Sequence, residues 1–106
     1  GSALLEKTKK RNLALLYLLT ANEQLWQRAK DHIYPDKIAL SEIPLTGIST
    51  TCYALYQAAK TIANEKLYIK ENELADKELI GAFTFKIIIQ SFLIARYGDE
   101  VMTVTQ

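Results

Sequence analysis

The sequence predicts an all-α fold, a small helical domain of four helices with a short C-terminal tail. Three observations carry this expectation. Residues 71–99, ENELADKELIGAFTFKIIIQSFLIARYGD, run without proline and hold the densest cluster of large apolar residues in the chain. Leu45, Ile48, Cys52, Leu55, Ala59 and Ile62 alternate steps of three and four, the narrow apolar seam that bundles use. The remaining helix-forming stretches are divided by clear breaks, above all Tyr34-Pro35-Asp36.

The first element spans residues 3–19, where Leu4, Leu5, Leu15, Leu16 and Leu19 can share a helix face. Its middle, residues 7–11, is polar and basic. Thr20 and Glu23 then form a T-x-x-E capping pattern, with Thr20 as N-cap of a second helix over residues 21–33. The pattern leaves open whether these two helices are separate or one bent helix. Leu25, Trp26, Ala29 and Ile33 recur at helical spacing within the second.

Ser41 is the expected N-cap of the third helix. Pro44 is tolerated in its first turn, which has no intrahelical N–H bond to lose. This helix runs to residue 63 and ends at Asn64. Residues 65–70, EKLYIK, read as an extended connector anchored by Leu67 and Ile69. The last helix begins at Glu71 or Asn72, where Glu71, Glu73 and Asp76 complement the positive end of its dipole, and Gly98 stops it as an αL residue.

Two apolar stripes are expected on this helix: Phe85, Ile88, Ile89 and Phe92 on one, Ile80, Phe83, Ile87 and Ile94 on the other. Lys86 and Gln90 separate them on one side, Thr84 and Ser91 on the opposite side. Leu55, Ile62, Phe85, Ile88 and Phe92 are expected to be buried together. A rival reading makes residues 83–89 a strand, because Phe, Thr and Ile alternate there, paired in a hairpin with residues 101–104.

The totals fit one domain over residues 3–106, with Gly1 and Ser2 read as the remnant of a cleaved tag. A chain that is 49% hydrophobic and 24% charged, with net charge +1, is neither disordered nor a dedicated nucleic-acid binder. No apolar run reaches the roughly 20 residues of a membrane-spanning helix. The lone cysteine, Cys52, can form no internal disulfide and reads as a buried thiol, in keeping with a cytoplasmic location.

No catalytic, cofactor-binding or metal-ligating constellation is recognisable. His32 has no second ligand at helical spacing, the carboxylates of residues 71–76 read as helix-start solvation, and the four glycines form no phosphate loop. Lys7, Lys9, Lys10 and Arg11 are the one basic cluster. A solvated helix face explains it, and so does contact with an anionic membrane surface or a nucleic-acid backbone.

One stretch carries a resemblance. Glu65-Lys66-Leu67-Tyr68-Ile69 places a charged residue and a lysine before an apolar-x-apolar pair, and the following helix closes on Leu93, Ile94 and then Ala95-Arg96-Tyr97-Gly98-Asp99. This resembles the immunity proteins of pediocin-like (class IIa) bacteriocins, most closely the enterocin A immunity group. Arg96 stands where that family often has an acidic residue. The resemblance implies an antiparallel four-helix bundle that protects a cell, without enzymatic action, against a pore-forming peptide. It implies association from the cytosolic side with the bacteriocin-bound mannose phosphotransferase permease. By position, Arg96, Tyr97, Gly98, Asp99 and Glu100 are the residues implied in partner recognition, followed by the tail. The competing reading is a small helical regulator or adaptor for nucleic acid or another protein, favoured by the basic cluster.

Overall fold

The computed structural model describes residues 2–35, 37–64, 71–78 and 80–98. In chain order it contains α1 (Ser2–Thr20), α2 (Glu23–Ala29), α3 (Thr50–Asn64), the one-turn α4 (Glu71–Ala75) and α5 (Ala82–Tyr97). Two 3-10 turns, Lys30–His32 and Leu40–Glu42, punctuate the connection from α2 to α3. Among the described residues there is no strand, only an isolated bridge between Ile33 and Ile38. The fold is all-α, and residues 83–89, which the rival reading made a strand, lie within α5.

α1 is the helix against which the others assemble. Its most extensive packing is with α5, its next with α3, and α2 folds back beside it. It brings Ala14, Leu15, Leu18 and Leu19 into a core completed by Leu25 and Ala29 of α2, by Leu55, Ala59 and Ile62 of α3, and by Ile88 and Ile94 of α5.

α1 and α2 are separate helices, and the cap between them is not the one the sequence pattern indicates. The Thr20 hydroxyl donates back to the Leu16 carbonyl at 2.7 Å, so Thr20 belongs to the end of α1. Asn22 takes the N-cap role instead: its backbone is extended and its side chain accepts from the Leu25 N–H at 3.1 Å. Thr20 keeps helical backbone in the last turn of α1 with its hydroxyl turned back onto that turn, whereas an N-cap needs an extended backbone, and asparagine is at least as strong a cap.

α3 starts at Thr50, nine residues later than Ser41. Ile43, ahead of Pro44, is extended as the proline ring requires, and Gly47 has φ +75°. Ser49 then supplies the start: its hydroxyl accepts from the Cys52 N–H at 3.1 Å and its carbonyl from the Tyr53 N–H at 2.9 Å. Leu45 and Ile48 therefore reach the core from a loop rather than from the helix seam. α2 holds that loop in place. Arg28 donates to the Pro44 carbonyl at 3.1 Å, and the Gln24 side chain accepts from the Ser49 N–H at 3.0 Å. The Tyr56 hydroxyl, buried on α3, donates to the Leu40 carbonyl at 3.1 Å and ties down the turn before it. The connector over residues 65–70 lies outside the described residues.

The last predicted helix is two helices. The Asp76 carboxylate accepts from the Glu78 N–H at 3.0 Å, its carbonyl accepts from the Ile80 N–H at 2.9 Å, and Gly81 takes an extended backbone as the N-cap of α5. A short acidic side chain bonding two residues ahead makes a turn that competes with the helix, and Gly81 does nothing to resist it. Ile80 is thus buried just ahead of α5 rather than on it.

The buried face of α5 also differs from expectation. It consists of Thr84, Ile87, Ile88, Ser91 and Ile94. Thr84 and Ser91, expected to separate two apolar stripes, lie in the core, whereas Phe85 and Ile89 face outward at 39% and 37% exposure. Phe92 is half-buried at the edge. Of the five residues expected together in the core, Leu55, Ile62 and Ile88 are there and Phe85 is not. The physical reason is that a hydroxyl is small and can satisfy itself. Ser91 Oγ donates to the Ile88 carbonyl at 2.6 Å, so no unpaired donor is buried, and a side chain of two heavy atoms leaves room for an adjacent helix.

Two expectations follow. Ile88→Ala should lose about 2–5 kcal/mol in denaturant unfolding, the range for a large aliphatic group removed from a packed core, whereas Phe85→Ala should lose under about 1 kcal/mol. Equal losses at the two positions would mean that α5 is rotated from the orientation seen here. The second concerns alkaline pH. Burial raises the Cys52 thiol above its ordinary 9.0, partly opposed by the Arg28 charge, and raises the Tyr56 phenol above its ordinary 10.0, with Tyr53 adding to the rise. Both groups are neutral when protonated, so the folded chain holds these protons more firmly than the unfolded one. Their contribution is whole below about pH 9 and declines as pH climbs through the raised folded-state values. Melting temperatures should fall from that point upward, with a shallower decline in Cys52→Ala than in the parent protein.

Candidate functional site

The sequence offers two groups of candidate residues, one near the start of α1 and one at the end of α5. Lys7 and Arg11 are four apart, so they share one face of α1. Arg96 lies in the last turn of α5, where a cation is favoured by the negative end of the helix dipole. The bundle brings these three together. Lys7, Arg11 and Arg96 line one open groove of about 270 Å³, with Thr61 and Ile62 of α3 and Phe92 and Ala95 of α5 forming the rest of its wall.

Gly98 ends α5 beside the same cluster. Its N–H donates to the Ile94 carbonyl at 2.7 Å, and its backbone has φ +84° and ψ −162°. This is not the αL conformation expected of a helix stop but an extended region of positive φ that essentially only glycine occupies. The aliphatic chain of Lys10 lies against it: a β-carbon at position 98 would meet Lys10 Cγ at 3.5 Å, an ordinary contact. Lys10 therefore spans the junction between the start of α1 and the end of α5. Tyr97 is 49% exposed, with the Arg96 guanidinium carbon 5.3 Å from its ring centroid. This cation–ring contact holds both side chains at the rim.

Lys9 is exposed and does not line the groove, because two residues along a helix from Lys7 it points elsewhere. Asp99, Glu100 and the tail through residue 106 lie outside the described residues. Thr61, Ile62, Phe92 and Ala95 are wall residues that the sequence reading did not assign to a site. Ile62 and Phe92 had a signal, but it read as core, and an apolar residue at a core edge looks the same in sequence as one at its centre.

No family model, characterised protein or solved structure gives a significant match to this chain. Three cations stand over a largely apolar wall, and among the described residues no carboxylate, imidazole or thiol lines it. Such a site attracts an anionic group that carries apolar surface. Elsewhere, His32 Nδ1 lies 3.7 Å from the Glu42 carboxylate, and Cys52 is buried in the core. Among the described residues no three His, Cys, Asp or Glu side chains converge as metal ligands would.

The geometry at Gly98 is directly testable. Gly98→Ala should lose about 1–3 kcal/mol from backbone strain, since the space beside Lys10 accommodates a methyl group. Lys10→Ala in the same background should not restore the loss. Restoration would show that a side-chain clash, and not the positive φ, is the origin.

Proposed function

We propose that this chain is a bacteriocin immunity protein of the pediocin-like class, acting by association and not by catalysis. The observation that carries the reading is the convergence of Lys7, Lys10 and Arg11 with Arg96, Tyr97 and Gly98 on one surface. The residues that carry the family resemblance at the end of α5 thereby share a rim with the basic cluster that sequence alone left unassigned. The groove's cations over the apolar side chains of Ile62, Phe92 and Ala95 fit a binding role.

In this reading the protein meets its partner, the bacteriocin-bound mannose phosphotransferase permease, from the cytoplasmic side. Arg96 and Tyr97 form the selective contact: a tyrosine combines area with a hydrogen-bonding tip, and arginine at a rim supplies directed donors. Ile62 and Phe92 give the contact an apolar floor. Lys7 and Arg11 favour an approach to acidic or anionic surroundings.

Expression in a sensitive strain should raise tolerance to one or a few pediocin-like bacteriocins and leave tolerance to unrelated pore formers unchanged. Tyr97→Ala and Arg96→Glu should each reduce protection at least tenfold in the bacteriocin concentration tolerated, roughly the loss of one good contact residue. Both are surface changes, so helicity should be retained. Failure of the parent protein against a broad class IIa panel would remove the immunity reading. Full protection by both variants would move the recognition surface away from α5.

A further inference from the structure

α5 carries a second face that the groove does not use. Phe85, Ile89 and Leu93 recur every four residues along its outward side, with 39%, 37% and 37% of their surface exposed. Phe83 and Tyr97 are exposed at its two ends. At one end the row meets an apolar cavity of about 430 Å³ lined by Ala75, Lys77, Ile80, Ala82 and Phe85. Towards the other end it adjoins the cationic groove, whose wall includes Phe92 and Arg96. A helix of sixteen residues is about 24 Å long, so this is a continuous apolar strip and not scattered single residues.

The charged side chains on α5 itself, and those of the described residues lining the groove at its end, have one sign. Lys86 and Arg96 are the only charged residues of α5, both are exposed, and Lys77 lines the cavity at its start. Lys7, Lys10 and Arg11 extend the cationic border beyond its end. The acidic residues Glu73, Asp76 and Glu78 precede α5, so opposite charges flank Lys77 at the cavity end of the strip and the cationic border belongs to α5 and the groove end. Protruding aromatic and aliphatic side chains bordered by lysine and arginine are the profile of a helix that lies in the interface of an anionic bilayer. Pairing with a second copy fits poorly. Parallel α5 helices would set Lys86 against Lys86 and Arg96 against Arg96. Antiparallel ones would bring Arg96 to the positive end of the neighbour's helix dipole.

We propose that the Phe85–Ile89–Leu93 face of α5, with Lys86, Arg96 and the basic start of α1, docks the protein on the surface of an anionic lipid bilayer. The phenyl and aliphatic groups enter the headgroup–acyl boundary while the cations meet lipid phosphates at its edge. The chain rests on the membrane and does not cross it. Among the described residues no helix is long and apolar enough to span one. This proposal stands on surface chemistry and does not require the immunity reading.

The test is cosedimentation of the purified chain with vesicles of phosphatidylglycerol and phosphatidylcholine, compared with phosphatidylcholine alone. Binding is expected to the anionic vesicles only, and to weaken with added salt. Ile89→Asp should abolish it without lowering helicity or melting temperature. Lys86→Gln and Arg96→Gln should each reduce the partition coefficient about fivefold, and together roughly 20–30-fold, the loss expected for cations at an anionic surface. Equal binding to neutral vesicles would overturn the proposal, as would absence of binding or full binding by Ile89→Asp. Sedimentation velocity supplies the remaining outcome. A dimer that Ile89→Asp converts to monomer, without vesicle binding by the parent, would assign the face to a second copy and overturn the proposal.

Discussion

The rest of the structure depends on how α1 seats against α5. Among the described residues these two helices share the most extensive interface, and α5 meets the core through Thr84, Ile87, Ile88, Ser91 and Ile94. Two of those five are small hydroxyl residues. Placing them inward fixes the rotation of α5, and that rotation decides everything on its outer side. It turns Phe85, Ile89 and Leu93 to solvent, sets Phe92 at the boundary, and carries Arg96 to the groove beside Lys7 and Arg11. Had the larger residues Phe85 and Ile89 faced α1, the helices would stand further apart and Arg96 would lie elsewhere. Interhelical distance follows the size of the side chains at the contact.

Much of the helical content was legible from period and composition. The end of α3 at Asn64, the buried seam of Cys52, Leu55, Ala59 and Ile62, and the stop at Gly98 all follow from spacing and residue type. The starts were less legible, because several residues compete for each cap. Thr20, Asn22, Ser41 and Ser49 all suit an N-cap by chemistry. Which of them serves depends on what the neighbouring loop bonds to, such as the Gln24 and Arg28 clamps on residues 44–49. The break at Asp76 was hidden for a similar reason, since its carboxylate can solvate a helix start or form a turn with equal ease.

The candidate site was legible as two separate halves and illegible as a whole. Each half is local: a basic run on one helix, and Arg96-Tyr97-Gly98 at the close of another. Their meeting is a tertiary fact, separated by more than eighty residues of chain, and no periodicity reports it. Polarity alone also misassigned the faces of α5. A binary reading treats serine and threonine as surface residues, yet a hydroxyl that donates to its own helix presents little more than a methyl-sized group to its neighbour.

The pairing of α1 with α5 has a consequence for how the chain is made. Lys10 lies against Gly98, so the largest interface joins segments from opposite ends of the sequence. Contacts of such long range carry a closure entropy that local contacts do not, and they form late. During synthesis the apolar faces of α1 and α3 emerge well before α5, at roughly 5–20 residues per second. For those seconds Ala14, Leu15, Leu18 and Ile62 have each other and α2 but not Ile88 or Ile94. Until α5 joins them, the side of α1 that packs on it lacks that cover. One face of α5 supplies that cover, and Phe85, Ile89 and Leu93 stay outward on the other.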